Sequence, residues 1–256
     1  LEAKVISQMS TLGARAALVS ILATIYFFAA AVAAHLVNTQ YNFSRDYISD
    51  YAIGPWGWVY GSAFWASCIG CIALAVALIQ SIPTIALSRT GAGLLVIVGI
   101  TYAIDFFFPT DILPPGAPPT TIVGAIHLSD ALLGWILFTV SAVLLSSGLK
   151  YAPYWKRWRA PLMSLGWLSI VLLAVLVAVV ISKAPFGGLA EKAFILDRNL
   201  WVLLLGVLVF NSRRTNTRGE TCRAANDAIH DSQQELAAQP SPPTAGRRSQ
   251  LLPQEV

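Results

Sequence analysis

The sequence predicts an all-α, polytopic membrane protein: a six-transmembrane-helix bundle followed by a polar tail. Three observations carry this. Of the 256 residues, 56% are hydrophobic and 12% charged, about half the charged share of a soluble domain. That is too few charges to clothe a water-facing surface. Mean hydropathy is +0.64. The apolar residues also come in runs of roughly 20, the length that crosses the hydrocarbon of a bilayer.

Residues 1–13 read as a short N-terminal segment before a first span at 14–37, ARAALVSILATIYFFAAAVAAHLV. A cleaved signal peptide is the rival, because Arg15 precedes the apolar core and Ala31-Val32-Ala33 resembles a cleavage site. The run is longer than the roughly 7–15 residues of a signal core, which favours a retained helix. A polar loop leads to the second span, 57–80. A turn containing Pro83 leads to the third, 90–108, which Pro109 ends because it has no N–H to donate and restricts the residue before it. Five prolines between 109 and 119 make the next loop stiff and extended. The fourth span is 121–147, and KYAPYWKRWRAP after it is a basic, aromatic, headgroup-level segment. The fifth is 161–182. The sixth, 189–210, carries Glu191, Lys192, Asp197 and Arg198 in its first half. The tail, 211–256, has the composition of a disordered segment.

Lys and Arg set the orientation. Six spans put thirteen of them on the side of both termini and four on the other, and ten against four after the last three of the tail are set aside. The positive-inside rule therefore places both termini in the cytoplasm and the chain in the cell membrane. The same distribution explains the net charge of +4 without nucleic acid. The partner implied is the lipid bilayer. Cys68 and Cys71 share a redox-motif spacing but lie inside an apolar run, where packing is the plain explanation. Interfacial anchoring explains tryptophans such as Trp56, Trp58, Trp155 and Trp158, and Gly91 and Gly93 suit close helix packing.

The acids divide by side. Asp46, Asp50, Asp105, Asp111, Asp130, Glu191 and Asp197 all fall in the outer loops or outer helix halves, with His35 and His127. His127 and Asp130 share a helix face at i, i+3, roughly 9 and 13 Å below the outer start of their helix. Ionisable groups at such depth face a bundle interior and need partners. Together they describe a polar cavity open to the extracytoplasmic side.

Several motifs resemble a known family. SDYAIGPWGWVYGSAFW at 49–65, FPTD at 108–111, T-x-x-G-x-I-H at 121–127 and, more loosely, GGLAEK at 187–192 are similar to the domain of unknown function 998 family. The resemblance spans about residues 14–210. It implies a multipass six-helix bundle, and it carries over no catalytic residue, since none is established for that family.

His127, Asp111 and Asp50 are the candidate catalytic residues, with Asp105, Asp130, Glu191 and Arg198 as cavity or binding partners. A metal-assisted hydrolytic site would draw on such His and carboxylate ligands, but a single well-placed histidine assigns no metal. Haem between His35 and His127 fits a two-imidazole pattern with nothing else to support it, so no cofactor is assigned. The leading function is binding or processing of a lipid or small polar molecule. One alternative is a non-enzymatic protein whose acids cap helices and pair with Arg45, Lys192 and Arg198. The other is a proton-coupled transporter, although no repeat supports it. Whether the chain is an enzyme stays open at this point.

Overall fold

A computed structural model describes the backbone of residues 2–81, 85–114, 117–151 and 153–238, and side chains within 11–81, 85–114, 117–151 and 155–212. Seven helices occur among the described residues: α1 (Glu2–Val37), α2 (Gly57–Ile79), α3 (Ala86–Phe107), α4 (Ile122–Gly148), the single turn α5 (Pro153–Lys156), α6 (Arg159–Ile181) and α7 (Gly187–Ala238). Short 3-10 turns stand at Ile48–Ala52 and Leu149–Tyr151. No strand is present among the described residues. Six helices are long and apolar enough to cross a membrane, over Thr11–Val37, Gly57–Ile79, Ala86–Phe107, Ile122–Tyr151, Arg159–Ile181 and Gly187–Ser212. The protein is thus an integral membrane protein.

Residues 1–214 form one unit and 215–256 another. The helix assignment of α7 runs on to Ala238, into the tail read above as disordered. Side chains from 213 on, and everything after 238, lie outside the described residues, as does Pro83.

Helices α1 to α4 pack in chain order, and α6 packs on α4. The last span lies at the centre. Gly206 of α7 abuts Ala17 and Ile21 of α1, Trp201 Nε1 donates to Ser146 Oγ of α4 at 3.3 Å, and Ser169 of α6 donates to the Asp197 carboxylate. The charges of α7 therefore mark the interior helix and do not interrupt the span. Apolar surface gives no net drive between helices in lipid, so close packing at small residues and interhelical hydrogen bonds hold the bundle. Gly91 shows this: Leu145 of α4 occupies the place a Cβ would take, and Ser141 Oγ donates to Gly91 O at 2.8 Å. Gly93 meets nothing within 4 Å, so close packing accounts for Gly91 and leaves Gly93 unexplained. Helix α6 is peripheral. Its buried residues are Leu162, Gly166, Ser169 and Leu176, while Trp167, Val171, Val175 and Ile181 stand exposed, as suits a lipid-facing helix. Trp56 and Trp58 are exposed, but Trp155 is 3% exposed and packs in the core, unlike an interfacial anchor.

One end of the bundle is closed by polar contacts between the 38–56 loop and the head of α7. Gly188 N donates to Arg45 O at 3.1 Å and Leu189 N to Ser44 O at 2.9 Å. Lys192 Nζ donates to Asp46 O at 2.6 Å and Phe43 O at 3.0 Å. Ile48 N donates to Glu191 Oε2 at 2.6 Å. The first N–H groups of a helix have no partner within it, and here two loop carbonyls, Arg45 O and Ser44 O, each take up one of them.

Candidate functional site

Two cavities open beneath that closure. The outer one, about 720 Å³ including its mouth, lies between α4 and α6 under the proline-rich loop. Its walls are mostly apolar, with Leu113, Pro119, Leu128, Leu176 and Val180 among them, and Thr110 and Asp111 at the loop. The inner one, about 310 Å³ including the open space at its mouth, is lined by Tyr60, Phe64, Tyr102, Asp105, Ile195 and Arg198 among others. Ser49, His127, Ala131, Trp135 and Glu191 line both. These five residues are shared by the linings of an apolar vestibule and a polar chamber, and stand where the two meet.

The helices place the groups by simple periodicity. On α4, His127, Ala131 and Trp135 follow at i, i+4 and i+8. On α7, Glu191, Ile195 and Arg198 follow at i, i+4 and i+7, one face in each case. Glu191 and Arg198 are thus roughly 10 Å apart along the α7 axis, with the carboxylate at the loop end and the guanidinium deeper.

His127 is 6% exposed. Its Nδ1 stands 2.9 Å from Phe108 O. A carbonyl only accepts, so Nδ1 carries the proton in the neutral ring, and Nε2 is left as the acceptor nitrogen. Asp105 Oδ1 lies 3.3 Å from the same Nδ1, but it has no hydrogen-bond partner. The pair is close enough for charge interaction, and the hydrogen bond belongs to Phe108 O. Arg198 is 2% exposed. Its guanidinium lies over the rings of Tyr102 at 4.6 Å and Phe27 at 5.7 Å, and its Nη1 has no hydrogen-bond partner. The ion pair found among the described residues is Arg45 with Asp46, while the neutral His127 ring stands beside Asp105. Arg198 therefore does not make the carboxylate pairing expected of it, and Lys192 turns to backbone carbonyls.

The remaining candidates sit apart from one another. Asp111 joins His127 on the vestibule wall, where its carboxylate also fastens the loop to α4. Oδ2 accepts from Thr120 N at 2.8 Å and Thr121 N at 2.9 Å, and Oδ1 accepts from Thr121 Oγ1 at 2.7 Å. Those bonds, from the Thr121 hydroxyl first, hold its pKa below the usual value. Thr121 in turn caps α4 by accepting from Gly124 N at 2.9 Å. A Cβ at Gly124 would fall on the Asp111 carboxylate. Asp50 and Asp130 line neither cavity. Asp50 Oδ2 accepts from Tyr47 N at 2.8 Å at the start of the 3-10 turn. Asp130 is buried and its Oδ2 has no hydrogen-bond partner. His35 lines neither cavity; its Nδ1 is 2.9 Å from the Tyr51 hydroxyl. Cys68 and Cys71 are buried free thiols. No group of three potential metal ligands gathers among the described residues.

Burial pushes the Asp50 carboxyl up to about 6, against the Tyr47 N–H, which lowers it. A carboxyl whose folded value lies above its unfolded one favours the fold while protonated. That stabilisation is complete below about pH 4 and is lost as pH rises through about 6. Asp50→Asn keeps an acceptor for Tyr47 N and cannot ionise. The wild type is expected to lose on the order of 2–3 kcal/mol relative to this variant between pH 4 and 7, read from unfolding midpoints across that range. Parallel pH profiles would contradict it.

Sequence reasoning missed Ser49, Tyr60, Tyr102, Ala131 and Trp135 as wall residues. Helical spacing from His127 reaches Ala131 and Trp135, and Tyr102 stands one turn before Asp105. Nothing in the sequence singles out Ser49 or Tyr60. A model of a protein family described as "Protein of unknown function (DUF998)" matches residues 21–208. The chain belongs to this family. The match covers every candidate residue, from Asp50 to Arg198, and stops short of the polar tail. No curated protein and no solved structure matches the DUF998 chain.

Proposed function

We propose that this DUF998 protein binds an amphiphile from the extracytoplasmic side, its apolar part in the vestibule and its polar head in the inner chamber. The observation that carries this is the shared lining of Ser49, His127, Ala131, Trp135 and Glu191. An apolar pocket continuous with a few convergent polar groups is the usual form of a small-molecule site. The vestibule borders α6, the helix most exposed to lipid, so a molecule could enter from the bilayer. The orientation follows from the excess of Lys and Arg on the side of both termini.

The purely structural alternative accounts for Asp50 and Asp111, which hold backbone N–H groups. It gives no role to the unpaired guanidinium of Arg198 or to Nε2 of His127. A second reading, processing of the bound molecule, rests on that nitrogen: an acceptor Nε2 fixed by its Nδ1 partner can take a proton from a bound hydroxyl or water.

Ala131 is 8% exposed and lines both cavities, so Ala131→Phe tests the proposal by plugging the place where they meet. Wild-type protein purified in neutral detergent is expected to retain a tightly held amphiphile, detected by native mass spectrometry. Ala131→Phe is expected to lose it while keeping its helical circular dichroism. Equal retention by a folded Ala131→Phe protein would count against the site.

A further inference from the structure

The inner chamber is polarised. Glu191 stands at its loop end, and Asp105 lies one turn of α3 closer to that end than Tyr102. Arg198, stacked on Tyr102, stands at the inner end. Both acids have their own company: Glu191 Oε2 holds Ile48 N, and Asp105 lies beside His127. The neighbouring Asp197 is turned to Ser169 of α6. No carboxylate comes within ion-pair distance of Arg198 among the described residues.

A buried guanidinium without a counter-ion is costly. Its ring contacts with Tyr102 and Phe27 satisfy its faces, not its N–H donors. Those donors form a planar fork suited to two oxygens of one anion. We infer that Arg198 is the receptor for an oxyanion at the tip of the ligand's head, phosphate or carboxylate, inserted through the chamber past Glu191 and Asp105. The two acids at the mouth suit O–H or N–H donors behind that tip. The bound molecule is therefore an anionic amphiphile with a hydroxyl- or amine-bearing head. This rests on the amphiphile reading for its tail and on Arg198 alone for its charge.

Three probes separate those parts: 1-myristoyl lysophosphatidic acid, monomyristoylglycerol with the same tail and no phosphate, and glycerol 3-phosphate with no tail. Affinities are measured by titration calorimetry on the full chain in a maltoside detergent. The lysophosphatidic acid is expected to bind wild type at least tenfold more tightly than the monoacylglycerol, and glycerol 3-phosphate far more weakly. Arg198→Met should bring the first ratio close to one, and Arg198→Lys, which keeps the charge and loses the fork, should give an intermediate ratio. If Arg198→Met does not fold, the lysine variant carries the test, and a wild-type ratio in it would overturn the assignment. Equal binding of both tailed probes to wild type would overturn the oxyanion assignment and leave the amphiphile reading standing. Glycerol 3-phosphate binding as tightly as the lysolipid, with loss in Arg198→Met, would keep the oxyanion and overturn the tail. Binding of no probe would overturn both.

Discussion

Gly188→Ala is expected to lower the unfolding free energy by about 1–3 kcal/mol and to free the 42–52 loop from the head of α7. A Cβ at Gly188 would land on the backbone carbonyl of Asp46, and backbone cannot rotate away as a side chain can. The loop must shift. The bonds from Gly188 N to Arg45 O, from Leu189 N to Ser44 O and from Ile48 N to Glu191 then stretch together. The last of these also sets the position of Glu191 in the shared lining, so the effect should reach the cavities. Unfolding midpoints by intrinsic fluorescence, with trypsin cleavage after Arg45 as a local readout, would measure both. Gly93→Ala is the control, because nothing stands within 4 Å of that Cβ and alanine is the better helix former. A Gly188→Ala protein as stable and as trypsin-resistant as wild type would contradict the closure described here.

Arg198→Met is expected to do the opposite, raising the unfolding free energy of ligand-free protein by about 1–2 kcal/mol. Replacing a buried ion by an apolar side chain of similar length commonly stabilises. Lost ring contacts with Tyr102 and Phe27, worth about 0.5–2 kcal/mol, offset part of the gain. A structural arginine behaves otherwise: removing one member of a buried pair leaves the other charge stranded at a cost of several kcal/mol. The sign of the change therefore separates a binding group from a structural one, and a clear destabilisation would assign Arg198 to the scaffold. Such a group, unfavourable for the fold and present at its centre, fits a site that trades stability for function.

The bundle was legible because its signal is one-dimensional. Runs of apolar residues, Pro109 at the end of α3 and Thr121 at the start of α4 are properties of neighbouring residues, and they suffice for six apolar helices. The polar residues of the last span were legible as unusual but not as central. Their meaning depends on α7 being enclosed by α1, α4 and α6, which no local pattern states. The cavity follows the same division. Helix periodicity puts His127 inward, yet it cannot tell that Asp111 shares the vestibule with it while Asp50 and Asp130 do not. Nor can it tell that Arg198 lacks a carboxylate. An absent partner is a fact of three dimensions.

Photo-crosslinking from the shared lining in native membranes reads the occupant of the site most directly. Trp135 lines both cavities, whereas Trp167 on α6 faces outward and is 57% exposed. Each is replaced in turn by benzoylphenylalanine, and adducts are identified by mass spectrometry after irradiation. One amphiphile class, bearing an oxyanion, is expected to be enriched on position 135 over the bulk lipid mixture captured at position 167. No adduct at 135, or the same lipid mixture at both positions, would contradict that occupancy.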